Sequence, residues 1–195
     1  MRRPIAGNPN NVDQSDSSVG GDQVAGNKEE HHHHYGAERA ANVVEQLLLR
    51  LRHEMENNEK CLDIITRLQR FHTKRASAGV SGLEAKLEKA GRESEIEAAL
   101  ERKEMFAKLL EEWSLYASAQ EIFVYLLARA EQVFNDMIFP EVGKASIIET
   151  NTRITKLIVE PTVAECGASI FAIDNNVAMG LVYWLAEQCF IRWHE

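Results

Sequence analysis

The sequence predicts a mainly α-helical chain with a disordered or weakly β leader, a long helical hairpin or coiled-coil region, and a small α+β module at the end. Three observations predict it. Residues 1–36 are rich in Asn, Asp, Ser and Gly and poor in large apolar side chains, so they bury too little surface to offset the entropy of ordering. From Ala37 to Pro140 apolar residues recur at steps of three and four, the period of a helix with one buried face. Beyond Pro140 short apolar runs surround an Asp174-Asn175-Asn176 cap signal. The expected divisions are therefore 1–36, 37–140 and 141–195.

A length of 195 residues with 45% hydrophobic content permits one moderate core or two small ones. Twenty-two basic against 30 acidic residues give a formal charge of −8, which argues against a broad nucleic-acid footprint. No run reaches the roughly 18 apolar residues of a membrane span. Arg2 and Arg3 precede no apolar segment long enough for a signal peptide. Cys61, Cys166 and Cys189 are odd in number and far apart, which fits a reduced, cytoplasmic protein.

In the leader, Val12, Val19 and Val24 stand among turn formers, a weak pattern of short strands beside the plainer reading of a flexible segment. His31 to His34 form a four-histidine tract with Glu29 and Glu30 before it; a tag remnant and native low complexity are both open, and no metal site is assigned. From Ala37 to about Lys74, Val44, Leu48, Leu51, Met55, Asn58, Leu62 and Ile65 alternate steps of four and three, a heptad seam for self-association. Asn58 either fixes register within that seam or faces solvent at its edge.

Ala76 to Gly82 breaks the pattern, and Ser81 with Glu84 has capping-box spacing for a new helix. Its stripe starts at Leu83 and Leu87, weakens near Gly91 and Ser94, and returns through Ile96, Leu100, Phe106, Leu110 and Trp113. After a break at Ser114 to Ala119 it continues through Ile122, Phe123, Leu126, Leu127, Ala130 and Phe134 to Pro140. The aromatic residues of this region read as core. Ser146 to Glu160 predicts a further helix, with Pro161 kinking it and Gly167 closing the turn at positive φ. Ile170 to Ile173 and Phe190 to His194 suit strands by their apolar and β-branched content. Asp174 is a good N-cap for a helix to about Gln188, apolar on nearly every side, which must be covered all round.

The run Val177-Ala178-Met179-Gly180-Leu181-Val182-Tyr183-Trp184-Leu185-Ala186-Glu187-Gln188-Cys189-Phe190-Ile191-Arg192-Trp193 resembles the C-terminal domain of non-ATPase proteins in bacterial ABC-type three-component systems. The leader segments Val12 to Ser15 and Gly20 to Gly26 also resemble segments of such proteins. The resemblance implies a defence role beside an ABC ATPase and a small middle component. Members often carry a nuclease or protease ahead of the terminal module, whereas here the middle is charged helix without a catalytic motif.

Phosphate-binding glycine loops are absent, since Gly20-Gly21-Asp22 lacks the Lys-Ser or Lys-Thr that would follow. His53-Glu54 lacks the second histidine of a zinc-protease helix. No catalytic residue, cofactor or metal ligand is assigned. The leading expectation is a non-enzymatic adaptor whose terminal module docks the ATPase or the middle component through Tyr183, Trp184, Phe190, Ile191 and Trp193. The alternatives are a structural coiled-coil homo-oligomer without an ATPase partner, in which the terminal helix buries its surplus apolar face against a copy of itself, and a cryptic cysteine hydrolase built on Cys166, Asp174 and His194.

Overall fold

Helix boundaries in the computed structural model, which describes residues 42–61, 63–75 and 79–194, are set by local caps and by side chains distant in sequence. The leader and the histidine tract lie outside those residues. Helix α1 (Val43–Glu56) starts from a capping box, with Asn42 Oδ1 accepting from the Glu45 amide and Glu45 Oε2 accepting from the Asn42 amide, both at 2.8 Å. It ends in a Schellman turn. Asn58 takes φ +54°, its N–H donates to the Met55 carbonyl at 3.2 Å, and the Glu59 N–H reaches back to Glu54 at 2.8 Å.

The expected continuous helix over 37–74 is thus not formed, and the heptad seam does not run through it. Leu51 is buried and Leu48 half-buried in the chain's own core, Met55 and Asn58 are exposed, Ile65 stands just before the next helix, and Leu62 lies outside the described residues. The physical reason is that Asn tolerates the left-handed conformation that stops a helix. The chain after it is then pinned from afar. Buried Gln120 accepts from the Ile65 amide at 2.7 Å and donates to the carbonyls of Asp63 (3.1 Å) and Ser114 (2.7 Å).

Helix α2 (Thr66–His72) buries Leu68 and Phe71, and α3 (Leu83–Lys89) follows. A second Schellman turn at Gly91, φ +66°, ends α3. A 3-10 turn at Glu93–Glu95 leads into α4 (Ile96–Trp113). Helix α5 (Ala117–Val133) begins beneath α1, where Glu54 accepts from the Ser118 amide (3.1 Å) and hydroxyl (2.6 Å). It runs on through a π turn at Phe134–Ile138 and a 3-10 turn at Phe139–Glu141, where Pro140 stops it.

Helix α6 (Ile147–Ile154) starts from a Ser146/Glu149 capping box. A π turn at Thr155–Val159 carries it into α7 (Glu160–Cys166), so the rod passes through Pro161. The wider turn fits the missing proline N–H. Gly167 has φ −62°, not the expected positive value. Helix α8 (Asn175–Glu187) has the predicted cap, with Asp174 Oδ1 accepting from the Val177 amide at 2.9 Å.

Among the described residues there is no strand, which overturns the α+β reading of the terminal segment. Ile170 to Ile173 is a turn: Ala172 takes φ +47°, and Phe171 is directed at Trp113 and Phe123, ring centroids 5.2 and 5.3 Å away. Phe190 to His194 is irregular, with Phe190, Ile191 and Trp193 all buried. Its apolar side chains fill core pockets one by one instead of alternating across a sheet.

Ala41–Glu195 form one compact unit. Its core draws buried residues from every helix. Helix α8 lies in its middle, packed against α3, α4, α5 and α7, so most of its apolar surface is covered and only Val177, Met179 and Trp184 among its large apolar residues stay partly exposed. The closest approach is at Gly180, where a methyl group would stand 2.8 Å from the Arg102 carbonyl carbon and 3.0 Å from Phe106 Cβ, with the Arg102 oxygen nearer still.

Candidate functional site: the end of the last helix

The end of α8 is closed by a third Schellman turn. Cys189 takes φ +62°, its N–H donates to Ala186 at 3.1 Å, and the Phe190 N–H donates to Leu185 at 2.8 Å. Lys86 lies beneath it, 2% exposed, donating Nζ to the carbonyls of Ala186 and, at 3.3 Å, Ile191. Burial pushes its ammonium below the ordinary lysine range. A cation at a helix C-terminus meets the negative end of the dipole and satisfies carbonyls that the helix cannot.

Glu187 ties two other segments to this turn. Its Oε1 accepts from Lys74 Nζ at 2.6 Å and its Oε2 from the Leu83 amide at 2.9 Å. Burial works to raise its pKa, but these bonds hold the carboxyl below its usual range. Glu187 thus caps α3 from 104 positions away. The predicted Ser81/Glu84 box does not form; α3 has Gly82 as N-cap with no side-chain cap bond, and the Ser81 hydroxyl sits 4.0 Å from the Cys189 sulfur.

The docking residues expected from sequence divide by depth. Tyr183, Phe190, Ile191 and Trp193 are buried in the chain's own core. The Trp193 ring meets Phe134 edge-on at 5.8 Å and Tyr183 at 5.9 Å. Arg92, 4% exposed, lies 5.7 Å from the Trp193 ring and is held by Glu95 (3.0 Å) and Asn151 (2.7 Å). Trp184 is half-buried, edge-on to His72 at 5.6 Å and to Phe106 at 6.3 Å; its indole nitrogen is buried and, like that of Trp193, has no hydrogen-bond partner among the described residues. It is therefore the one of the five that a partner reaches without dismantling the core.

Two members of the nucleophile reading, Cys166 and Asp174, are set within the fold. Cys166 is fully buried and its thiol is pushed up to about 12 by burial and then by the Glu165 charge, the opposite of an activated cysteine. The Asp174 carboxylate caps α8. Among the described residues no group of three or more His, Cys, Asp or Glu could hold a metal ion, and no helix is long and apolar enough to cross a membrane.

Lys86, Glu187, Glu131 and Gly180 were not singled out from sequence. Only Lys86 left a local signal, since it falls in register with the apolar stripe of Leu83 and Leu87.

Compared with known proteins, the model of C-terminal domain 9 of the ABC-three component (ABC-3C) systems matches residues 82–193, from just before α3 to the buried Trp193. No curated protein matches the chain, and no solved structure does. The matched span exceeds half the chain and contains both halves of the α4–α8 contact and the whole turn around Lys86. The chain belongs to the family of C-terminal domain 9 of the ABC-three component systems.

Proposed function

We propose that this chain is a non-enzymatic, cytoplasmic docking subunit that engages the ABC ATPase or the small middle component of its system through the end of α8. The observation that carries the reading is Trp184. It is a large aromatic on the terminal helix of a family domain, partly exposed where Tyr183, Phe190, Ile191 and Trp193 are buried. Trp is enriched among the residues that carry most of the energy where protein surfaces meet. The non-enzymatic reading is supported by the burial and raised pKa of the Cys166 thiol and by the capping role of Asp174.

Affinity capture from the native host with the full chain tests this, with Trp184→Ala as the comparison. The ABC ATPase or middle component, identified by mass spectrometry, is expected with the wild type and reduced at least tenfold with the variant. Equal capture at an unchanged melting temperature refutes the docking role of Trp184.

Self-association is the second reading, favoured by the adjacent Ile147 and Ile148, 41% and 78% exposed at the start of α6. A mass by light scattering that stays monomeric as concentration rises removes it.

A further inference from the structure

The family match begins at residue 82, yet the last turn of that domain is covered by a segment that precedes it. In this strap, residues 65–75, Leu68 and Phe71 are buried, and the Phe71 ring lies 4.9 Å from Phe190. The Arg75 guanidinium stands 4.1 Å over the Phe190 ring and that of Arg70 at 5.4 Å. Both arginines then reach Glu131, at 3.0 and 2.8 Å. Lys74 pairs with Glu187, the Arg75 amide donates to the Gln188 carbonyl at 3.1 Å, and His72 meets the Trp184 edge. Arg70, Lys74 and Arg75 thus face carboxylates, and Phe71 and His72 face aromatic rings.

Glu131 is the informative residue. Its side chain is 12% exposed, and its hydrogen bonds and ion pairs come from Arg70 and Arg75, outside the matched domain. A carboxylate held under cover needs a cation. The matched domain therefore presents a socket, made of Glu131 and Glu187 around Phe190 and Trp184, whose complement this chain supplies itself.

We infer that this socket accepts a basic helical segment bearing an aromatic residue, that residues 65–75 occupy it in cis as a displaceable strap, and that a partner segment of the same chemistry takes their place. The inference deepens the docking reading and rests on it for the identity of the partner. The strap's own chemistry argues for the occupant: the surface it leaves has two carboxylates and exposed rings, so charge and apolar complementarity select cations spaced around an aromatic.

The test uses the full chain, hydrogen exchange read by mass spectrometry, and a fluorescent peptide of residues 64–75 as probe. Replacing both strap arginines, Arg70→Ala with Arg75→Ala, removes two ion pairs and the two cation–π contacts to Phe190. It is expected to raise exchange over 66–75 about tenfold and to tighten probe binding about tenfold relative to the wild type. Adding Glu131→Gln to that variant is expected to cancel the gain in probe binding. Unchanged strap exchange, or a strap that opens without tighter probe binding, overturns the inference. Exchange that rises equally through α4 and α5 also overturns it, because the strap is then part of the fold and not a cover. Probe binding without capture of any system component leaves the socket standing and removes the docking reading; capture that depends on Trp184 but ignores the strap variants does the reverse.

Discussion

Adding one methyl group at residue 180 tests the central contact of the fold. In a helix interior Gly→Ala normally stabilises by about 0.5–1 kcal/mol, because glycine loses more freedom on folding. Here the added Cβ would stand 2.8 Å from the Arg102 carbonyl carbon, where ordinary contact begins at 3.4 Å. The helices must part by about 0.6 Å for that atom alone, and by more for the carbonyl oxygen. Relief is not local, since the obstacle is α4 backbone and Phe106, which is fully buried and packed edge-on to Phe123 and Trp184. Overpacking of this kind costs about 1–3 kcal/mol or more. Set against the helix-propensity gain, Gly180→Ala is expected to lose about 2 kcal/mol, a fall of about 4–8 °C in melting temperature for a unit of this size. Thermal unfolding followed by circular dichroism measures it, with Ala98→Gly at an exposed α4 position calibrating the propensity term. A melting temperature equal to or above the wild type would refute the α4–α8 packing argued here.

Two further perturbations read other parts of the unit. Gln120→Ala removes three hydrogen bonds to backbone groups of Asp63, Ile65 and Ser114; urea unfolding is expected to show a loss of about 2–3 kcal/mol, and an unchanged midpoint would mean that the α1–α2 connection is not pinned there. His72 has its pKa lowered from 6.5 by burial against Trp184, so the unfolded chain takes up a proton before the folded one. Stability from this group is full above about pH 6.5 and declines as pH falls toward the lowered folded value. The wild type is therefore expected to melt lower at mildly acidic pH, with His72→Phe removing that part of the slope; identical pH profiles would assign it elsewhere.

What the sequence made legible was what short-range chemistry decides. The breaks after Trp113 and at Pro140, the Asp174 cap, and the need of α8 for cover on every side all depend on residues within a few positions of one another. The ends of α1 and α3 were half-legible: Gly91 marked a weakening and Asn58 a polar interruption, but a heptad count ranks Asn58 as a seam position, whereas αL backbone makes it a stop. The terminal strands failed for a different reason. β-Branched and aromatic content marks a segment for burial, and burial was met by turns that send Phe171, Phe190 and Trp193 into separate pockets. No local pattern announces that Glu187 will cap α3, that Gln120 will hold Ile65, or that Glu131 will meet Arg70 and Arg75. The resemblance did point to the right family, through a run containing Gly180, Tyr183 and Trp193, which are packing positions. The recognisable signature is thus largely a record of how α8 is enclosed, with Trp184 only partly covered and Arg192 exposed.

The left-handed residues that close α1, α3 and α8 also say something about chirality. At Asn58, Gly91 and Cys189 the backbone occupies the region that a mirror-image amino acid prefers and that an L side chain enters only against its own Cβ. Gly91 is indifferent to hand, and Asn58 is among the L-residues that accept it most readily. Cys189 carries the conformation with neither advantage, and its sulfur lies between Ser81 and the last helical turn. In a chain assembled by chemical ligation, D-alanine at position 91 would sit without conflict where L-alanine would be strained, and the three stop signals would be seen as places where the fold asks for the opposite enantiomer.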